Sequence, residues 1–360
     1  MDIIEYKCPS CGGSISFDSG TQQMVCPYCG VKSDVEALKS LDEALSKTTE
    51  DRMEWRPPEN HWREGELDNM RIYACASCGG EIIGDETTAA TSCPYCGSHV
   101  VIAGQFSGAL RPNLVIPFKL DKNAAVEALK RHYKRKPLLP RVFKEDNHIQ
   151  EIKGMYVPFW LFNADSDVDI RCQATKIRSW SDSEYNYTET SYFHVSRQGH
   201  IGFENVPADG ASKMPDALME SIEPYHLQDA VDFQTAYLAG YLADKYDVEA
   251  DRCVERANAR IKKSAEDAFT ATVTGYHTVA LQSSSVQLKS GAVRYALFPI
   301  WLLGTNWKGK RYMFAMNGQT GALAGDDLPI SRVAWLIGML ISAAVFMPIV
   351  YFLIQYVLNS

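Results

Sequence analysis

The sequence predicts two small β zinc ribbons with rubredoxin-type knuckles, an α+β domain with a possible internal duplication, and one C-terminal transmembrane helix. A pattern of four cysteines occurs twice near the N-terminus, and the last 28 residues, 333–360, contain no charged side chain. Across the whole chain, 46% of the residues are hydrophobic and 22% are charged, which is typical of a folded protein with an ample core.

Each cysteine pattern consists of two Cys-x2-Cys pairs separated by 14 residues, and the second copy follows the first at an offset of 67 residues. A Cys-x2-Cys turn directs two sulfurs at one point, and two such turns on a short hairpin complete a tetrahedral cage of four thiolates. The cage leaves no coordination position open, which indicates a structural site. The predicted ligands are Cys8, Cys11, Cys26, Cys29, Cys75, Cys78, Cys93 and Cys96.

Zinc is the expected metal, as two ions with four cysteines each, and iron is the alternative because a cage of thiolates accepts both. Disulfide bonds are a further alternative. They are disfavoured because no apolar secretion signal precedes Cys8, so we expect the thiols to lie in the reducing cytoplasm.

The C-terminal segment is long enough to cross a bilayer, which takes about 20 apolar residues. Trp335, Tyr351 and Tyr356 lie toward its two ends and Arg332 directly precedes it, as expected of a span whose basic flank stays inside. The alternative is a buried core helix. We expect a single-pass protein of the cell membrane, with the bilayer as a partner and the bulk of the chain cytoplasmic.

The charge balance argues against nucleic acid as a partner. The net charge is −8 and the isoelectric point is about 5.6, whereas binding to phosphate relies on clustered lysine and arginine. The one dense basic segment is Lys130 to Lys136. It either complements the dipole at a helix C-terminus or contacts anionic lipid headgroups or an acidic partner.

Helical and alternating patterns divide the remaining chain. Predicted helices lie at 123–133, 227–244 and 247–268, a strand lies at 114–120, and a charged, exposed linker separates the two cysteine patterns. Pro158-x-Trp160 recurs as Pro299-x-Trp301, which suggests two related halves in one domain. The predicted limits are ribbon 1 at 1–33, a helix and linker at 34–71, ribbon 2 at 72–104, the α+β domain at 105–330 and the anchor at 331–360.

No catalytic motif is complete. The segment from Gly304 to Lys310 fits part of a phosphate-binding loop, but Arg311 replaces the required Ser or Thr and a strand pattern follows, so a β-hairpin is favoured. Cys172 and Cys253 are expected to be buried and inert. Asp165, Asp167 and Asp169 share one strand face, which is more typical of a solvated face than of a cation site. We therefore predict no enzyme activity.

Twin ribbons with CPYCG knuckles, a Pro-x-Trp middle domain and a C-terminal span resemble the bacterial TFIIB-type zinc-ribbon membrane proteins, sometimes labelled primosomal helicase (PriA)-like. The resemblance covers the whole architecture, but only the knuckles are specific. It implies an adaptor in a membrane-stress response, with phage-shock-A-like coiled coils and SPFH-domain proteins as partners, and it places metal on the eight cysteines. It implies no helicase activity. The alternative function is a membrane-tethered nucleic-acid-binding protein.

Overall fold

The computed structural model describes residues 8, 14–38, 53, 55–68, 70–85, 93–96, 98, 101–105, 110–136, 138–149, 151–325, 327–329 and 332–359. The chain divides into two compact units. Unit 1 takes residues 1–57, 162–206 and 254–293, and unit 2 takes residues 58–161, 207–253 and 294–360. The domain limits expected from the sequence stay a prediction.

The strands are β1 (Ser16–Asp18), β2 (Gln23–Val25), β3 (Lys32–Ser33), β4 (Trp55–Arg56), β5 (Met70–Ala74), β6 (Glu81–Asp85), β7 (Val101–Gln105), β8 (Leu114–Val115), β9 (Lys153–Ser181), β10 (Asn186–Asp209), β11 (Val231–Asp232), β12 (Leu242–Asp244), β13 (Thr278–Trp307), β14 (Lys310–Asn317) and β15 (Leu323–Gly325). The α-helices are α1 (Lys122–Lys134), α2 (Asp146–Ile149), α3 (Asp216–Ser221), α4 (Ala250–Ala271) and α5 (Arg332–Asn359). Short 3-10 helices occupy Arg141–Lys144, Leu227–Asp229 and Thr235–Leu238.

Unit 1 contains a small antiparallel sheet in the order β1-β2-β3. It also contains the distal part of the β9–β10 hairpin and the first part of β13. Along β9 the even-numbered residues from Ala164 to Ala174 are buried, and the odd-numbered residues between them are not. This period of two confirms the predicted strand, and it places the three aspartates on one face of the sheet.

Unit 2 is built on strands in the order β11-β8-β13-β9-β12-β6-β5-β7, with β14 pairing β13 and β15 pairing β14. Its parts of β9 and β13 are buried on both faces, which explains why MYVPFWLF and ALFPIWLL read as continuous apolar runs. Phe159 and Phe298 stack across these strands with their ring centroids 4.4 Å apart. Helix α1 begins as predicted, because the Asp121 carboxylate accepts a hydrogen bond of 2.8 Å from the Ala124 N–H.

The predicted helix at 227–244 is wrong. Two 3-10 turns and strands β11 and β12 occupy this segment instead. Gly240 has a φ of +82°, a left-handed conformation that ends the helical path. The residues after it pair as β12 with both β6 and β9, so sheet pairing overrides the helical pattern.

The predicted strand at 114–120 is shorter in the structure and ends at Val115. Pro117 has no N–H to donate to a neighbouring strand. The N–H groups of Lys119 and Leu120 instead donate to the Gly318 carbonyl, at 3.0 and 2.9 Å. The predicted helix at 247–268 is found at Ala250–Ala271.

The segment expected to be an exposed linker is attached to the folded chain. In unit 1, the Trp55 ring packs edge-on against Phe162 with centroids 5.0 Å apart. In unit 2, the Glu66 carboxylate forms an ion pair of 3.0 Å with Arg111. None of residues 55–68 is buried, but aromatic packing and this ion pair hold the described part of the segment against the folded chain.

The two Pro-x-Trp motifs make matching contacts in unit 2. The Pro158 carbonyl accepts a hydrogen bond of 2.9 Å from Gly210, and the Pro299 carbonyl accepts one of 2.8 Å from Gly318. Both tryptophans are buried, and each indole N–H donates to a backbone carbonyl. The acceptors are Val248, at 2.8 Å from Trp160, and Leu120, at 3.0 Å from Trp301. The motifs are core features, and the predicted duplication stays a prediction.

The last helix, α5, covers 28 residues and contains Pro348. Among the side chains that the structure describes, no helix presents an apolar stretch long enough to cross a membrane.

Candidate metal centres

Ribbon 2 brings its four cysteines to one end of a three-stranded antiparallel sheet. Cys75 directly follows β5, and Cys78 lies in the turn between β5 and β6. The last residue of β5, Ala74, pairs with both Glu81 of β6 and Val101 of β7. Because this register aligns the strand ends, the turn before β7, which carries Cys93 and Cys96, emerges beside the first turn.

The four sulfurs have the spacing of a tetrahedral site. The Cys75 and Cys96 sulfurs are 3.5 Å apart, the Cys78 and Cys93 sulfurs are 3.6 Å apart, and all four lie within 4.8 Å of one another. A tetrahedral ion bound to sulfur at about 2.3 Å requires sulfurs about 3.8 Å apart. The cluster could therefore hold a metal ion.

Backbone hydrogen bonds fix the two turns. The Cys75 N–H donates to the Gly80 carbonyl at 2.9 Å, and the Gly79 N–H donates to the Cys75 carbonyl at 2.8 Å. Gly79 has a φ of +68°, the left-handed conformation expected for a glycine after the second thiol of a knuckle. In the other turn, the Cys93 N–H donates to the Ser98 carbonyl at 2.7 Å.

The thiols of ribbon 2 differ in acidity. Burial raises the pKa of Cys78 and of Cys93. Burial also acts against ionisation of Cys96, but hydrogen bonds from the side chain and backbone of Ser98 lower the pKa of this thiol to about 6. The Cys96 thiolate is therefore available near neutral pH, and binding of a metal must displace protons from Cys78 and Cys93.

Ribbon 1 repeats the arrangement in unit 1. Cys26 follows β2, Cys29 lies in the turn before β3, and the sulfurs of Cys8 and Cys29 are 3.5 Å apart. These three sulfurs lie within 4.8 Å of one another, so they could hold a metal ion. Gly30 has a φ of +73° and donates its N–H to the Cys26 carbonyl at 2.9 Å. The fourth predicted ligand, Cys11, lies outside the described residues.

The two ribbons have different surroundings at one equivalent position. Tyr28 in the CPYCG knuckle of ribbon 1 is 74% exposed, whereas Tyr95 in the same knuckle of ribbon 2 is 0% exposed. The Tyr95 side chain lies in a buried cluster with residues of β9 and β13. Ribbon 2 is thus part of the core of unit 2, while the knuckle of ribbon 1 faces solvent.

A buried carboxyl group supports Tyr95. The Tyr95 hydroxyl donates a hydrogen bond to Asp244, the last residue of β12. Burial raises the pKa of Asp244 to about 7, with a further increase from the nearby Asp247, although the hydrogen bond from Tyr95 acts to lower it. Burial and the Asp244 charge also raise the pKa of Tyr95. Nothing in the spacing of the sequence indicates this pair.

The partial match to a phosphate-binding loop has a structural explanation. A side chain at Gly304 would place its Cβ 2.5 Å from the backbone oxygen of Tyr95, so only glycine allows β13 to approach the knuckle. Strands β13 and β14 pair from Ile300 to Asn317, and Lys308 and Gly309 form their two-residue turn with φ values of +51° and +76°. The predicted hairpin is confirmed, and the geometry of a nucleotide loop is absent from this segment.

The remaining candidates have structural partners. Cys172 and Cys253 are buried, and burial raises the pKa of Cys172.

The three aspartates on β9 each have a partner within unit 1. Asp165 accepts from the Ser290 hydroxyl at 2.8 Å, Asp167 contacts His200 and Lys289, and Asp169 accepts from the Gln198 amide at 2.8 Å. They form a polar sheet face. The role of the basic segment Lys130 to Lys136 stays a prediction.

The chain is similar to the uncharacterized protein YdjG of Bacillus subtilis (strain 168), with 35% identity over 340 residues, or 94% of each chain. It belongs to the YdjG family. No family profile and no solved structure matches the chain. Because the match to YdjG covers 94% of the chain, family membership applies to nearly its whole length and not to a single cysteine motif.

Proposed function

We propose that this protein is a membrane-anchored zinc-ribbon adaptor that docks cytoplasmic partners at the cell membrane. The proposal is carried by one combination of features. Two thiol clusters of the kind that builds closed, structural metal sites occur in the same chain as a long C-terminal helix that carries no charged residue after Arg332. Metal sites that are complete with protein ligands stabilise a surface and leave no position for a substrate.

The surroundings of α5 support the anchor. Residues 342–348, which cover two full helical turns, are all exposed. Phe346 is 64% exposed and Met347 is 73% exposed. Over these described residues the helix packs against no protein, and an apolar helix surface of this kind is stable in hydrocarbon rather than in water. Arg332 before the uncharged segment favours an orientation with both units on the cytoplasmic side.

The cages favour zinc as the metal. All the described ligands are cysteine sulfurs, and the four of ribbon 2 have the spacing of a tetrahedral site. Zinc forms closed sites of this type without any geometric preference of its own. Small ribbons cannot build a sufficient core, so metal binding would supply most of the folding free energy of ribbon 1, on the order of 10 kcal/mol.

Ribbon 1 is the better candidate for docking because its apolar side chains are exposed. Phe17 is 52% exposed and Tyr28 is 74% exposed. Exposed aromatic rings on a rigid support are typical of binding surfaces. The resemblance to the TFIIB-type zinc-ribbon membrane proteins makes a phage-shock-A-like coiled coil or an SPFH-domain protein the expected partner.

The proposal is tested by mild crosslinking in the native membrane, followed by detergent extraction of the tagged full-length protein and identification of what co-purifies. Cys26→Ser opens ribbon 1, and Cys172→Ser is the control because it removes a buried thiol outside the ribbons. We expect membrane proteins of the coiled-coil or SPFH type with wild type and Cys172→Ser. We expect their loss with Cys26→Ser while the protein stays in the membrane fraction.

Full recovery of partners with Cys26→Ser would contradict docking through ribbon 1. Recovery of the wild-type protein from the soluble fraction would contradict the anchor. Enrichment of nucleic acid without protein partners would favour the nucleic-acid-binding alternative.

A further inference from the structure

Strand β10 is a long edge strand in unit 1. In the described part of the chain it pairs with β9 alone, so no strand pairs with the backbone N–H and C=O groups on its other side. One of these groups, the Ser196 carbonyl, accepts a solvent-exposed hydrogen bond of 2.9 Å from the Arg197 guanidinium. Between residues 186 and 206 it contains no proline and no lysine, the residues that usually protect an edge. An edge of this kind has one natural occupant, which is another β-strand.

The register of β10 on β9 shows which residues face the open side. His200 contacts Asp167 across the two strands, and the Asp182 N–H donates to the Tyr185 carbonyl at 3.0 Å in the hairpin turn. Both pairs belong to one antiparallel register. Because Tyr185 bonds across the hairpin, the odd-numbered residues of β10 bond to β9, and the even-numbered residues direct their backbone groups to the open side.

We propose that β10 pairs antiparallel with β10 of a second copy of this chain, about a two-fold axis at Phe193. Residues 186–200 of both copies then form one continuous ladder. It begins at the hairpin turn of each copy and joins even-numbered residues through their open backbone groups. Odd-numbered residues meet as pairs without backbone hydrogen bonds, in which side chains approach most closely.

The positions of Glu189 and Arg197 favour a two-fold axis at Phe193 over axes at neighbouring residues. With the axis at Phe193, Glu189 of each copy lies opposite Arg197 of the other, so one ion pair forms twice. An axis one residue away leaves both charges opposite neutral residues. An axis at Glu189 or at Arg197 places like charges opposite each other, which destabilises a sheet. Within the described residues, neither side chain forms an ion pair in its own chain.

The side chains at the proposed axis suit a cross-strand contact. Phe193 would face its own counterpart, and aromatic pairs are favourable across antiparallel strands. Its ring is held in position within unit 1, since it packs against Tyr276 at 5.3 Å between centroids and under the Lys176 ammonium at 5.6 Å. The two copies would thus meet through side chains that are already ordered.

Charge reversal tests the register. The oligomeric state of the full-length protein in detergent is measured by light scattering over a range of protein concentrations. Glu189→Arg and Arg197→Glu should each weaken dimerisation about ten-fold or more, because each change alters two reciprocal pairs. The double variant should restore it. Glu184→Arg, an exposed change in the hairpin turn outside the ladder, should leave dimerisation unchanged.

Disulfide crosslinking between the two copies is a second, independent test of the proposed register. Under mild oxidation Phe193→Cys should give a disulfide-linked dimer beyond the wild-type background, since non-hydrogen-bonded partners lie about 4.5 Å apart at Cα. Ser191→Cys should not, because its counterpart would lie about 13 Å away along the ladder. A monomer at all concentrations, failure of the double charge reversal to restore dimerisation, or equal crosslinking at both positions would overturn the proposal.

Discussion

Replacing the tyrosine of each CPYCG knuckle by alanine should affect stability very differently in the two ribbons. Tyr95 is 0% exposed, and removal of a buried aromatic ring costs about 3–5 kcal/mol. Tyr95→Ala also removes the hydroxyl that donates to the buried Asp244, which costs about 1–3 kcal/mol more. Tyr28 is 74% exposed, so Tyr28→Ala should change the free energy of unfolding by less than about 0.5 kcal/mol.

The assay is denaturant unfolding of the full-length protein in detergent, followed by tryptophan fluorescence. Trp160 and Trp301 are buried in unit 2, so they report the unit that contains ribbon 2. Tyr95→Phe separates the two contributions, since it keeps the ring and removes only the hydroxyl. The expected loss is about 4–8 kcal/mol for Tyr95→Ala and a smaller loss for Tyr95→Phe. Similar losses at Tyr28 and Tyr95 would refute the inference that only the second knuckle belongs to a larger core.

Two other predictions concern the same region. Gly304→Ala places a Cβ 2.5 Å from the Tyr95 backbone oxygen and should lower the thermal midpoint and the metal content. The control Gly309→Asn, in a turn that Asn tolerates, should lower neither. Equal effects of the two changes would show that the close approach of β13 to the Tyr95 backbone is unimportant. Because burial raises the pKa of Asp244 from an ordinary 3.8 to about 7, the stability that its protonated form contributes is present below pH 4 and is lost as the pH rises toward 7. This loss amounts to roughly 4 kcal/mol. The free energy of unfolding, measured from pH 4 to 8, should therefore fall less steeply for Asp244→Asn than for wild type. Parallel pH curves for the two proteins would exclude a raised pKa of Asp244.

The local chemistry of the sequence predicts the parts of the site that are local. The spacing of Cys75 and Cys78 and the glycine at 79 are sufficient to indicate a knuckle, because the turn is made by consecutive residues. Alternation along β9 likewise predicts a strand with one polar face. These features depend on neighbours in the chain and need no knowledge of the fold.

The surroundings of the site could not be predicted in this way. Tyr28 and Tyr95 occupy identical positions in two similar motifs, and only residues distant in the chain, Asp244 and Gly304, distinguish them. The same limit explains the error at 227–244. A helical pattern was present there, but pairing of β12 with two strands from other parts of the chain determined the conformation.

The most direct test of the account is the metal content of the purified full-length protein, measured by elemental analysis together with the variants Cys26→Ser and Cys93→Ser. The account predicts two zinc ions per wild-type chain and a colourless protein, with one ion lost in each variant. Cys93→Ser should also destabilise the unit that contains ribbon 2, whereas Cys26→Ser should not. A single ion per chain, a red iron-containing protein, or full metal retention in either variant would contradict the account.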